Sequence, residues 1–290
     1  MQIITALSDV SACYDALFVD LWGCVHDGVR VYPGANEALS AYRAQGGKVI
    51  FVTNSPRPRA GVVQQLEIFG VSPDAYDDIA TSGDSARVAM FRGAVGTKVW
   101  HLGPEHDAGF FETPAVLDDP VAIERVPLEE AEGIACTGPV DPQADPSVLR
   151  PQFLAAKTRG LKLLCANPDI VVDRGNVREW CAGALAELYT EMGGESLYFG
   201  KPHAPIYDLA RRRLSQIADI PDSAILAIGD GPATDAAGAM GEDLDLLFIT
   251  GGLGAEETGT PLLGNPDAAL LQTYLARHGV VPTYAIGSLR

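Results

Sequence analysis

The 290 residues, 47% hydrophobic and 20% charged, suffice for a large core and exceed one typical domain, so two domains are expected. A formal net charge of −17 and a pI of about 4.6 oppose binding to nucleic acid or to an anionic membrane surface, and an anionic ligand would need local cations. The five cysteines, Cys13, Cys24, Cys136, Cys165 and Cys181, have no CxxC spacing and sit in or beside apolar stretches, which predicts reduced thiols packed as small hydrophobes. The N-terminal segment has no basic cluster, and no apolar run approaches the roughly 20 residues that span a bilayer. A cytoplasmic protein without a membrane partner is the expectation.

Along the chain, the apolar run 14–19 ends at Asp20-Leu21-Trp22-Gly23, a carboxylate delivered by a buried strand into a glycine-bearing turn. Residues 33–43 predict a helix closed by Gly46-Gly47, and the strand that follows ends at Thr53-Asn54-Ser55, which makes a βαβ unit. Residues 59–69 predict a second helix ended by Gly70, and 81–84 a cap for a third that begins near Ser85. From Lys98 the alternation restarts, with strands expected over 98–103, 133–138 and 161–166 in a second sheet inserted into the first domain. Residues 196–202 and a helix over 206–214 then return the chain to the first domain. A strand there ends at Gly229-Asp230-Gly231, and a last short strand over 246–250 is expected at a sheet edge.

Strand ends with polar tips suit phosphate or metal binding. Asp20 with Gly23, then Thr53-Asn54, then Gly200-Lys201-Pro202, then Gly229-Asp230-Gly231 with Asp235, resemble the four ordered motifs of the haloacid dehalogenase-like (HAD) hydrolase superfamily. The long insert, with Asn167-Pro168-Asp169, is similar to subfamily IIA, the NagD-like group. The resemblance implies an α/β protein with a Rossmann-like, parallel-sheet core at residues 1–83 and 196–290, and an inserted α/β cap domain of the C2 type at 84–195. It also implies a phosphatase-type hydrolase acting on a small phosphorylated metabolite. Capped relatives often pair through the cap, so a homodimer is expected.

The residue chemistry is coherent with that implication. A carboxylate that attacks a phosphoryl group splits hydrolysis into formation and breakdown of an aspartyl phosphate, and Asp20 is the candidate nucleophile. Lys201 offers a fixed positive charge and Thr53 a hydroxyl donor, with Asn54 beside it. Mg²⁺ prefers carboxylate and water oxygens, which fits Asp20 and Asp230, with the backbone carbonyl of Trp22 and with Asp235 completing the expected set. In the cap, Asn167, Asp169 and Arg174 are candidates to meet the substrate. Taken singly, each has an ordinary reading as a helix cap, a turn or a solvated charge.

One position departs from the family pattern. Two residues after the nucleophile those hydrolases usually carry a second aspartate, which protonates the leaving alcohol and later activates water; here Trp22 can do neither. His26 or Asp27 in the loop just downstream is a candidate surrogate, a cap carboxylate such as Asp169 or Asp173 is another, and a substrate with an acidic leaving group would need none. The alternatives to efficient hydrolysis are a catalytically weak or inactive phosphate-binding protein and a phosphotransferase.

Overall fold

The computed structural model describes residues 1–114, 117–174 and 177–290. The chain clusters into two compact units, one formed by Met1–Thr53, Val63–Ala80 and Tyr207–Arg290, the other by Asn54–Val62 and Thr81–Ile206.

The first unit is built on a seven-stranded sheet in the spatial order Gln2–Ile3, Tyr284–Ile286, Asp245–Ile249, Ile225–Gly229, Ala16–Val19, Lys48–Thr53, Asp78–Thr81. Its central pairings are parallel, with Ile228 beside Val19 and Val19 beside Phe51. All four residues of Ala16–Val19 and all five of Ile225–Gly229 are buried, as expected of strands covered on both faces, where no alternation of polar side chains survives. Helices Pro33–Ala44 and Arg59–Phe69 fall where the sequence predicts them. The third begins earlier, at Ser82, because Thr81 is its cap: its hydroxyl accepts the N–H of Asp84 at 2.9 Å.

The strand order reverses at one place. From Ala16–Val19 the sheet grows one way through Lys48–Thr53 and the other way through Ile225–Gly229, so the chain leaves the carboxyl ends of those two neighbours in opposite directions. Such a switch point opens a crevice in α/β sheets. Asp20 and Asp230 are the residues that immediately follow these two strands.

The second unit carries a five-stranded parallel sheet, in the order Glu195–Tyr198, Lys162–Cys165, Gly133–Cys136, Lys98–Leu102, Glu124–Arg125, and an antiparallel hairpin of Val171–Arg174 with Val177–Trp180. Phe153, Leu163, Leu185 and Tyr189 pack its core against one face of the sheet.

Two sequence expectations change. The segment from Ser196, expected to return the chain to the first domain, pairs with Lys162–Cys165 as an edge strand of the second sheet, Leu197 beside Leu164. The strand expected over 246–250 is not an edge: Asp245–Ile249 is flanked on both sides, because the short terminal strands Tyr284–Ile286 and Gln2–Ile3 add beyond it. Among the described residues no helix is long and apolar enough to cross a membrane.

Candidate active site

The site is built by the switch point. The N–H of Asp20 donates to the carbonyl of Ile228 at 2.8 Å, which continues the ladder one residue past the strand and fixes Asp20 beside the neighbouring strand end. Asp230 is seated between glycines: a Cβ on Gly23 would lie 2.2 Å from its Oδ2, and one on Gly252 would lie 1.9 Å from it. Gly23 also has φ +78°, which a side chain would strain. The same Oδ2 accepts the N–H of Leu253 at 2.8 Å. Asp235 sits one turn on, in a short π-helical turn at Pro232–Ala236; its Oδ2 accepts the N–H of Gly231 at 3.1 Å and so shapes the loop that carries Asp230.

Side-chain ligand atoms of Asp20, Asp230 and Cys24 all lie within 4.8 Å of one another, and all three residues are buried. Two carboxylates so close repel when both are ionised, and a cation between them removes that cost. The hard oxygen donors fit Mg²⁺. The hydroxyls of Tyr32 and Tyr274 are both pushed up to about 12, chiefly by burial, with the charge of Asp230 adding in each case. The sequence reading treated Cys24 as packing alone; its spacing of four from Asp20 across a glycine turn was the signal that it could fold back onto the carboxylate.

Trp22 and His26 pack against one another in the loop after Asp20. Their rings meet edge to face at 5.4 Å, and His26 meets Phe69 in the same manner at 5.0 Å. His26 is 2% exposed, and its Nδ1 accepts the N–H of Gly28 at 3.1 Å, which leaves Nε2 to carry the proton of a neutral ring. Gly28, at φ +81°, gives room to the Trp22 indole, which a Cβ would meet at 2.3 Å. Asp27, also in this loop, accepts the N–H groups of Val29 and Arg30 at 2.9 and 2.8 Å.

Thr53 ends its strand buried in the first unit. In the second unit, Asn54 is a clamp. Its Oδ1 accepts the N–H of Lys201 at 2.7 Å, and its Nδ2 donates to the Lys201 carbonyl at 3.1 Å and to Asp169 Oδ1 at 2.8 Å. Both amide protons of Asn54, expected to meet phosphate, are engaged within the protein, where the side chain holds the Lys201 backbone. Gly200 is required beside it, since a Cβ there would lie 2.4 Å from Asn54 Oδ1. Asn167 braces the same corner by accepting the N–H of Asp169 at 2.9 Å. Arg174, expected to meet the substrate, and its hairpin neighbour Arg178 form cross-strand ion pairs with Glu179 and Asp173.

A switch-point carboxylate pair of this kind, on this sheet, is accompanied by matching family models. The haloacid dehalogenase-like hydrolase model matches residues 17–113, and a HAD-hydrolase-like model matches 198–271. A crystal structure of a haloacid dehalogenase-like family hydrolase from Brucella suis 1330 is 38% identical, covers 99% of this chain and all of its own, and superposes with a TM-score of 0.85. The chain belongs to the haloacid dehalogenase-like hydrolase family. Further relatives include an acid sugar phosphatase of Staphylococcus saprophyticus, 23% identical over 84% of this chain and 89% of its own. A magnesium complex of a glycerol phosphate phosphatase from Mycobacterium tuberculosis is 24% identical over 97% of this chain and 77% of its own, at a TM-score of 0.70.

Proposed function

We propose that the protein is a Mg²⁺-dependent phosphatase of a small phosphorylated metabolite that works through an aspartyl phosphate on Asp20. The observation that carries this reading is the convergence of Asp20 and Asp230, two buried carboxylates within 4.8 Å at adjacent strand ends. The relatives named above as phosphatases, one of them a magnesium complex, support it.

In this reading Asp20 attacks phosphorus and the alcohol departs. Asp20 and Asp230 hold the cation, and when bound it supplies positive charge opposite the phosphoryl oxygens. Thr53 donates its hydroxyl, and Lys201, 3% exposed and held at its backbone by Asn54, supplies a fixed cation. Asn54 is accordingly a positioning residue. The inserted unit chooses the substrate.

The unusual element is proton transfer to the leaving group. A positioned acid contributes about 10²- to 10⁴-fold, and Trp22 cannot provide one. The burial of His26, between Trp22 and Phe69 with Nδ1 engaged, favours a loop-packing role over a surrogate acid. The expected enzyme therefore favours esters whose alcohol departs readily.

The test is Mg²⁺-dependent phosphate release from aryl and alkyl phosphate esters of matched shape, with Asp20→Asn as the blank. Aryl turnover with slow or absent alkyl turnover supports the reading. Equal rates that fall in His26→Ala restore His26 as the acid. Ligand binding without turnover on either ester would favour a phosphate-binding protein.

A further inference from the structure

The mechanism proposed above leaves one buried group at its centre unused. Cys24 is 1% exposed, and its Sγ lies within 4.8 Å of the carboxylate oxygens of both Asp20 and Asp230. Its position is built by the backbone. Gly23, at φ +78°, reverses the chain directly after Trp22. The N–H groups of Val25 and His26 then both donate to the Leu21 carbonyl, at 2.8 and 3.1 Å, while Gly23 donates to His26 at 3.0 Å. This closed turn returns residue 24 to the strand end from which Asp20 projects.

Sulfur contributes little to Mg²⁺, which demands oxygen donors at about 2.0–2.1 Å in octahedral geometry. A thiophilic divalent ion differs. Tetrahedral Zn²⁺ takes thiolate at about 2.3 Å and carboxylate at about 2.0–2.2 Å, so its ligand atoms stand roughly 3.3–3.8 Å apart, a spacing compatible with the observed limit. Three protein ligands would leave its fourth position open.

We propose that Cys24 makes this cation site thiophilic: Zn²⁺, or Cd²⁺ in its place, is held by Asp20, Asp230 and the Cys24 sulfur together, and displaces Mg²⁺. The inference rests on the cation reading of the same site given above. On coordination the thiol proton passes to solvent and the sulfur binds as thiolate. The nucleophile is then tied to a softer, more tightly held ion, and the enzyme is inhibited by it. Among the described residues no other cysteine shares such a grouping with two carboxylates: Cys13 is exposed, and Cys136, Cys165 and Cys181 are buried in the second unit.

The experiment uses metal-free protein carrying Cys13→Ser, which removes the exposed competing thiol. Cd²⁺ is titrated by calorimetry and by the ultraviolet thiolate-to-cadmium charge-transfer band, and Mg²⁺ by calorimetry alone. One equivalent of Cd²⁺ is expected to raise the band. Cys24→Ala and the closer-sized Cys24→Ser should abolish it and lower Cd²⁺ affinity by at least about tenfold, since even outer partners of metal ligands are worth about 10- to 100-fold. Asp230→Asn should abolish it as well. Circular dichroism verifies that each variant is folded. A band that persists in folded Cys24→Ala and Cys24→Ser, or Cd²⁺ affinity indifferent to both, overturns the proposal. Asp230-dependent Mg²⁺ binding with no cadmium–thiolate band overturns this proposal alone. If neither ion binds in an Asp230-dependent manner, the cation reading falls first and this inference with it.

Discussion

At the carboxyl ends of the first sheet, Asp20 and Asp230 are brought together buried, with Gly23 and Gly252 stripped of side chains to make room. At the corresponding ends of the second sheet, Cys136 and Cys165 stand side by side on adjacent strands, and burial pushes the Cys165 thiol up to about 12 and that of Cys136 well above its usual range. The polar groups beyond them, Asn167, Asp169 and Asn54, are joined by hydrogen bonds. Both sheets are parallel and apolar. The first brings two carboxylates together at its strand ends, whereas the second joins its polar groups by hydrogen bonds. Architecture supplies the crevice, and unresolved charge supplies the chemistry.

The comparison is broken most severely by removing the charge. Asp20→Asn is expected to lower the rate of Mg²⁺-dependent phosphate release by at least about 10³-fold while the melting temperature holds or rises, because a buried anion is lost. Filling the space the glycines leave comes next. Gly252→Ala should displace Asp230 and weaken Mg²⁺ binding by about 10- to 100-fold in calorimetry, at a stability cost of about 1–3 kcal/mol.

In the scaffold the expected damage is structural. Asn54→Ala removes the acceptor of the Lys201 N–H and a donor to Asp169 Oδ1, and should cost about 1–3 kcal/mol in denaturant unfolding, with phosphate release falling as Lys201 loses its brace. The exposed hairpin pair sets the lower limit. Arg178→Ala removes a bidentate contact with Asp173 at 2.8 Å, yet solvent screening should keep its stability effect below about 1 kcal/mol. A larger effect, or a change in KM for one class of ester, would move that hairpin out of the scaffold.

Much of this was legible in residues that must be of one kind. The apolar runs before Asp20 and Asp230 and the glycines beside them exposed the strand ends and the turns, because parallel strands buried on both faces carry no polar alternation. The βαβ unit over residues 16–53 is equally plain, with proline at its helix start and Gly46-Gly47 at the close. What the sequence hid were partnerships between distant residues. Asn54 reads like a ligand and is a clamp on a lysine 147 positions away; Cys24 reads like packing and faces two carboxylates. Two-residue Gln2–Ile3 and three-residue Tyr284–Ile286 are too short for a period to declare itself, so the true rim of the first sheet was missed. Residues 196–202 read as the return to the first domain, yet Glu195–Tyr198 pairs in the second sheet, for a related reason: strand character is local, while the choice of neighbour is not.

The strand order has a consequence for synthesis. Ala16–Val19, which presents Asp20, takes one neighbour from Lys48–Thr53 but the other from Ile225–Gly229. A ribosome adding about 5–20 residues per second takes roughly 10–40 s to make the intervening chain. During that interval one flank of the strand that presents Asp20 is an unpaired, wholly apolar edge, the kind that recruits other chains. The second sheet, drawn from residues 98–198, can meanwhile complete itself. The strands of the second sheet are thus all synthesised before the first sheet can be completed, and that open edge persists until residues 225–229 arrive.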